Sequence, residues 1–346
     1  MKTFKCGACG NTVYFENMQC LRCGHALGFR PDRLEIRALV SAGNGLYREY
    51  KKGPGARLRY CANEAHGVCN WLVRADSGSQ YCAACELNRT IPNLADPANV
   101  LAWGEFERAK KRLVYSLLRL GLPLDGAAMG KAALNFDFVN DALTGHLDGV
   151  ITISVGEADS VERERQRKAM EETYRSMLGH LRHESGHYYW MLLIDGTGQI
   201  DRFRQLFGDE RENYSAALDR HHSQGPPADW PLRHVSAYAS SHAWEDWAET
   251  WAHYLHMVDA LDTAAVHRLE PRAGRFGGSG TWPLRPFDVY RTESFDALIK
   301  RWVPLTLALN DINRSMGHED FYPFVIPEVA TTKLAFVHRV IRQSTY

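Results

Sequence analysis

The sequence predicts an α+β chain in which small metal-dependent modules precede a larger mixed domain. Three observations carry that expectation. All eight cysteines fall before residue 86, in two clusters spaced as metal ligands, and none follows. Two segments rich in β-branched and aromatic residues, "ALNFDFVND" at 133–141 and "GVITISV" at 149–155, read as strands. Two long segments of helical periodicity follow, one ending near 193 and one beginning near 242. The expected arrangement is a helix bearing a His-Glu-x-x-His motif set against a small sheet, with a second helix bearing two glutamates. The 346 residues suffice for two or three domains.

Charge names no partner for the whole chain, which is formally neutral. It is uneven, however: residues 1–90 hold 13 Lys/Arg against 7 Asp/Glu, a net of +6 that the remainder balances. A basic N-terminal region suits contact with protein or nucleic acid as well as a solvated surface. The start "MKTFKCGACG" has no apolar core of a signal peptide, and the longest apolar run, "YYWMLLI", is too short to span a bilayer. The expectation is therefore a cytoplasmic protein with no membrane contact. In a reducing compartment clustered cysteines favour metal over disulfides.

The first cluster is Cys6, Cys9, Cys20 and Cys23, in "CGACGNTVYFENMQCLRCG". Each C-x-x-C turn aims two thiolates at one ion, a short hairpin between the turns brings them together, and four thiolates in a tetrahedron suit Zn²⁺. The second is Cys61, Cys69, Cys82 and Cys85, with "NWLVRADSGSQY" between them reading as strand, turn, strand. His66 is an alternative ligand there, and His25 a spare for the first site. Regions this small lack core enough to fold alone, so the metal supplies folding energy. The expected ribbon region is 1–90, with sites at about 1–30 and 56–90. The Pro- and Asn-rich stretch at 86–100 reads as a linker; residues 91–121 are expected as linker and an amphipathic helix starting near 98, and 122–346 as the larger domain.

Within that domain "EADSVERERQRKAMEETYRSMLGHLRHESGHYYWMLL" reads as one long helix. It carries His183, Glu184 and His187. On a helix i and i+4 share a face, so both imidazoles can reach one ion. Glu184 projects about 100° round the axis, within reach of a water on that ion without ligating it. A catalytic zinc takes three protein ligands and keeps one open position. A histidine six residues after His187 would complete one pattern, but Leu193 stands there, with Trp190 in place of the required glycine; that class is excluded. Downstream, "VSAYASSHAWEDWAETWAHYLHM" offers Glu245 and Glu249 on one helix face. The first can ligate, and the second can hydrogen-bond the outer nitrogen of a ligand histidine. Because helix phase is uncertain by a residue, Glu249 or Asp246 remains open as the third ligand. His253 and His256 lie further along the same helix.

On "HESGH" at 183–187, "EDWAE" at 245–249 and Tyr238, the chain resembles a gluzincin, a zincin whose third ligand is a glutamate. It is similar in particular to a bacterial family of zinc-binding metallopeptidases with N-terminal zinc ribbons. The spacing of Tyr238, Glu245 and Glu249 also resembles that of anthrax lethal factor and related peptidases. The resemblance implies a zincin-like fold for 122–346, with His183, His187 and Glu245 as zinc ligands and Glu184 as general base. Glu249 would orient a ligand histidine, and Tyr238 would stabilise the oxyanion. It also implies that "GVITISV" is the edge strand that pairs with a peptide backbone. The cofactors expected are one catalytic and two structural Zn²⁺, and the partner a peptide or protein substrate. The alternative is a binding or regulatory protein whose ribbons contact protein or nucleic acid while the zincin domain is a scaffold. His180 lines the site or packs, "RHH" at 220–222 reads as a loop, and "DGTG" at 195–198 lacks the spacing of an aspartate-ligand site. The C-terminal "WVPLTLALNDINRSMGHEDFYPFVIPEV" reads as a helix and packed tail.

Overall fold

The computed structural model describes residues 3–51, 55–140, 142, 144–169, 175–269, 288–292 and 294–344. The chain divides into two compact units, Met1–Arg119 with Leu134–Gln166, and Leu120–Ala133 with Arg167–Tyr346. No helix among the described residues is long and apolar enough to cross a membrane.

In the first unit β1 (Phe4–Lys5) pairs antiparallel with β2 (Thr12–Val13). The pairing thus runs across the first cysteine turn, and not within the stretch between the two turns. Five strands follow in one antiparallel sheet: β3 (Ala26–Arg30), β4 (Glu35–Gly43), β5 (Leu46–Glu49), β6 (Leu58–Tyr60) and β7 (Leu72–Arg74). The amide of Phe29 donates to the Asn70 carbonyl at 3.0 Å, so the first and last strands meet and the sheet curls. Phe15, Phe29 and Trp71 fill its interior. The strand expected after residue 76 does not form; Ser77 and Ser79 side chains hold that segment as a turn.

A second sheet in this unit has the order β10 (Gly145–Leu147), β11 (Val150–Ser154), β9 (Asn135–Val139), β8 (Asn88–Thr90). β8 comes from the segment expected to be a linker. Its parallel pairing, Asn88 with Phe136, ties the cysteine region to the strands at 135–154. The helix α1 (Pro97–Leu120) packs with them, the Phe106 and Phe138 rings stacking at 4.6 Å. Its apolar positions Trp103, Phe106, Leu113, Val114 and Leu117 are buried, each contributing about 1.5–3 kcal/mol. These contacts group α1 and the sheet with the cysteine region, whereas the expected boundaries put the helix in 91–121 and the strands in 122–346. β11 is also not the edge strand that was expected. It is paired antiparallel to β10 and parallel to β9, which leaves β10 and β8 as the edges.

The long helix expected up to residue 193 is two. α2 (Ser160–Ala169) and α3 (Met177–Leu193) are separate, because Ser176 adopts an extended conformation and its hydroxyl accepts from the Gly179 amide. The part of that expectation falling on 170–174 lies outside the described residues. The second unit then contains α4 (Ile200–Phe207), α5 (Tyr214–Gln224), α6 (Trp230–Arg233), α7 (Ala243–His267), α8 (Phe295–Ser315) and α9 (Glu328–Gln343). The "RHH" triplet belongs to α5 and is not a loop.

α3 and α7 are the pair that positions the site. Gly186 lets them touch: a Cβ there would meet the Ala248 Cα at 2.8 Å. Trp247 donates to the Gly186 carbonyl at 2.8 Å and Trp251 to the Ser185 hydroxyl at 3.1 Å. A buried ion pair, Arg182 with Asp259, joins the two helices.

Candidate metal centre

Each cysteine set converges. Cys6, Cys9, Cys20 and Cys23 bring their sulfurs together, as do Cys61, Cys69, Cys82 and Cys85. Sulfur separations are 3.7 Å for Cys6–Cys23, 3.6 Å for Cys9–Cys20 and 3.7 Å for Cys69–Cys82. A tetrahedron with metal–sulfur bonds of about 2.3 Å has edges of about 3.8 Å, whereas a disulfide would need about 2.0 Å. The chemistry and the spacing fit zinc in both. The Cys23 amide holds the Cys20 thiol down to about 6, and hydrogen bonds led by Cys69 hold Cys61 far below the usual thiol range. Each set therefore has a ready thiolate. His25 packs on Tyr50 and His66 on Trp103, and neither joins a cluster.

The third cluster is His183, His187 and Glu245, whose donor atoms all lie within 4.8 Å of one another. His183 Nε2 is 3.0 Å from one Glu245 oxygen, and His187 Nε2 is 3.4 Å from the other. Tetrahedral ligands at about 2.0–2.1 Å from zinc are separated by about 3.3–3.4 Å. The local sequence produces this directly. The motif residues are one turn apart on α3, and Glu245 sits in the first turn of α7, whose start is fixed by the His242 ring accepting from the Trp244 amide at 3.1 Å.

Glu249, one turn further along α7, is 2.7 Å from His183 Nδ1, and Ser236 donates to its other oxygen at 2.6 Å. With Nδ1–H donated to Glu249, a neutral His183 turns the Nε2 lone pair toward the Glu245 carboxylate. Two lone pairs 3.0 Å apart require a cation between them. In the metal-free protein a proton fills that role. Burial opposes a charge on His183, but Glu245 and Glu249 outweigh it and hold its pKa well above the usual histidine range. Burial likewise opposes the charge on Glu249, yet His183 holds it down to about 2. The donor set, its separations and its need for a cation all fit zinc.

Three of the candidate alternatives are otherwise engaged. Asp246 is buried and paired with Lys333 at 2.5 Å, His253 meets the Tyr322 hydroxyl at 2.6 Å, and His256 packs against Trp302 and Tyr322. His180 is half-buried on α3, outside the cluster. Glu184 is buried on α3 beside His183 and is not part of the cluster.

Tyr238 lies in a short 3-10 turn, its ring 6.0 Å from that of His183. Burial first, then the field of Glu245, pushes its pKa far up, so it remains a protonated donor. A second phenol stands beside it. Tyr214, at the start of α5, donates to Glu245 Oε1 at 2.7 Å. Burial and the Glu245 charge raise its pKa as well. Sequence reasoning missed Tyr214. It lies 31 residues before Glu245 on another helix, and the one local signal was the Asn213 cap placing it at a helix start. Trp244 covers His187, with ring centroids 3.9 Å apart.

Comparison with known proteins agrees with this geometry. A family model described as "Putative zinc-binding metallo-peptidase" matches residues 99–340, and a zinc-ribbon domain model matches residues 3–96. Uncharacterised proteins of Mycobacterium bovis and of two strains of Mycobacterium tuberculosis are each 42% identical over 347 aligned residues, which cover 99% of this chain and 95% of the relative. No solved structure matches.

Proposed function

The chain belongs to the zinc-binding metallo-peptidase family, and from that premise we propose that it hydrolyses peptide bonds at the centre formed by α3 and α7. The observation that carries the proposal is the convergence of His183, His187 and Glu245, backed by Glu249, with Glu184 and two phenols alongside. A zinc ion held by those three residues supplies a Lewis acid and acidifies a water it binds.

The remaining chemistry is assigned to the chain's own groups. Glu184 takes a proton from the attacking water and passes it to the leaving amine. The Tyr238 hydroxyl, held protonated, donates to the oxyanion that develops on the peptide carbonyl, which is worth about 2.7–4 kcal/mol in comparable sites. Tyr214 fixes the Glu245 carboxylate through its hydrogen bond. Ser236 and Glu249 hold the His183 ring in one tautomer. We further assign a structural zinc to each cysteine cluster, giving three ions per chain, and the ribbon region as a surface for recruiting a protein substrate.

The decisive variant is Glu184→Gln. It keeps the ligand set intact, so the metal content should match the wild type while hydrolysis of casein or a peptide library falls by about 10²–10⁴-fold. Undiminished turnover in that variant would remove Glu184 as the base.

A further inference from the structure

A cavity of about 280 Å³ lies beside the centre, walled by α5, the Gly225–Pro227 turn and Ser240–Ser241. That volume is at the lower edge of ordinary ligand pockets, the size for one side chain with water. Its position is set by ring contacts. The His221 ring on its wall is 6.0 Å from that of Tyr238, which is itself 6.0 Å from the His183 ring. One aromatic ring therefore separates the cavity wall from the ligand histidine, about the reach of a residue flanking a scissile bond. Ser240 and Ser241 belong to the same short segment that runs from Tyr238 to the start of α7.

The wall carries hydrogen-bond donors for an acceptor: Arg220 and Gln224 both line the cavity. Arg220 is paired with Glu212 at 2.8 Å, but both side chains are about half exposed, and solvent screens such a pair until it contributes little. The guanidinium is therefore available to a competing carboxylate, which it can meet in bidentate fashion. Burial, with the neighbouring His222, keeps His221 below the usual histidine pKa, so among the wall residues the cationic charge at neutral pH is that of Arg220.

We propose that this cavity is a specificity subsite for an acidic side chain, Glu or Asp, next to the scissile bond, with Arg220 receiving its carboxylate. The assignment rests on the peptidase reading above. The test uses C-terminally amidated decapeptides that differ only in carrying Glu, Ala or Lys at each position flanking a central bond. Hydrolysis is measured with the full-length wild-type protein, and binding by fluorescence anisotropy with the zinc-loaded Glu184→Gln protein.

The Glu peptides should be cleaved and bound at least tenfold better than the Lys peptides. Arg220→Gln should erase that preference, and Arg220→Glu should reverse it. Equal cleavage of all peptides, with Arg220→Glu leaving the ranking unchanged, overturns the subsite and leaves the peptidase reading standing. Arg220-dependent binding of Glu peptides without any hydrolysis by the wild type supports the subsite and overturns the peptidase reading. Neither binding preference nor hydrolysis overturns both.

Discussion

Replacing Gly186 by Ala should damage the metal centre far more than it damages the fold. A Cβ at Gly186 would lie 2.8 Å from the Ala248 Cα, 3.2 Å from the Trp251 Cβ and 3.3 Å from the Ala248 Cβ. Carbon atoms rest at about 3.5–4.0 Å, so α3 and α7 must part by about 1 Å at that point. Overpacking of this kind costs about 1–3 kcal/mol, and exchanging a helical glycine for alanine returns about 1 kcal/mol. The net loss is about 0–2 kcal/mol, a fall in Tm of less than about 8 °C. The same displacement carries His183 and His187 away from Glu245, whose oxygens now lie 3.0 and 3.4 Å from the ring nitrogens. A misplacement of about 1 Å at a reacting centre costs on the order of 10²-fold. The assay pairs thermal unfolding with zinc titration against a competing chelator and peptide turnover. Zinc affinity and turnover within about twofold of wild type would refute the reasoning that Gly186 sets the geometry of the site.

Other expectations follow from the same contacts. Glu249→Ala removes the acceptor that aims His183 and should weaken zinc binding at this centre by about 10–100-fold; calorimetric zinc titration checks it, and unchanged affinity contradicts it. Zinc affinity at the centre should also fall with pH, because zinc displaces the proton that Glu245 and Glu249 hold on His183. That proton's stabilisation of the metal-free site is complete below the usual histidine pKa of about 6.5 and is lost as pH rises through the raised value. The expected slope is therefore about tenfold per pH unit between pH 6 and 8, and a flat profile contradicts it. Lys333→Ala removes the fixed cation beside buried Asp246 and leaves it facing His234 at 3.2 Å, which should cost about 3–5 kcal/mol in urea unfolding; a loss below about 1 kcal/mol means the pair matters little.

Much of the site was legible because its signals are short-range. C-x-x-C turns, two histidines one turn apart and two glutamates one turn apart each declare a shared direction within four or five residues. Glu245 and Glu249 were separable once the geometry was known: the first meets the inner nitrogens of both histidines, the second the outer nitrogen of one. Gly186, a costly residue inside a helix, was a fair signal of close approach, and Ala248 is what approaches.

What escaped the reading was set by pairing between distant segments. The Pro- and Asn-rich stretch after Cys85 looked like a linker, yet Asn88–Thr90 joins a sheet through Phe136 and Asp137, nearly fifty residues on. β11 has the composition of a strand, but composition does not say which neighbours cover its edges. Residues 160–193 keep a helical pattern on both sides of Ser176, so one capping hydroxyl decided the break. Tyr214 reaches Glu245 only because α5 folds back beside α7.

The central claim is that His183, His187 and Glu245 hold a zinc ion in addition to those in the two cysteine clusters. Native mass spectrometry of the protein purified without added metal tests it most directly. The prediction is three zinc ions per wild-type chain and two in a folded His183→Ala/His187→Ala variant. Two ions in both proteins would contradict the claim, whatever the peptidase assays show.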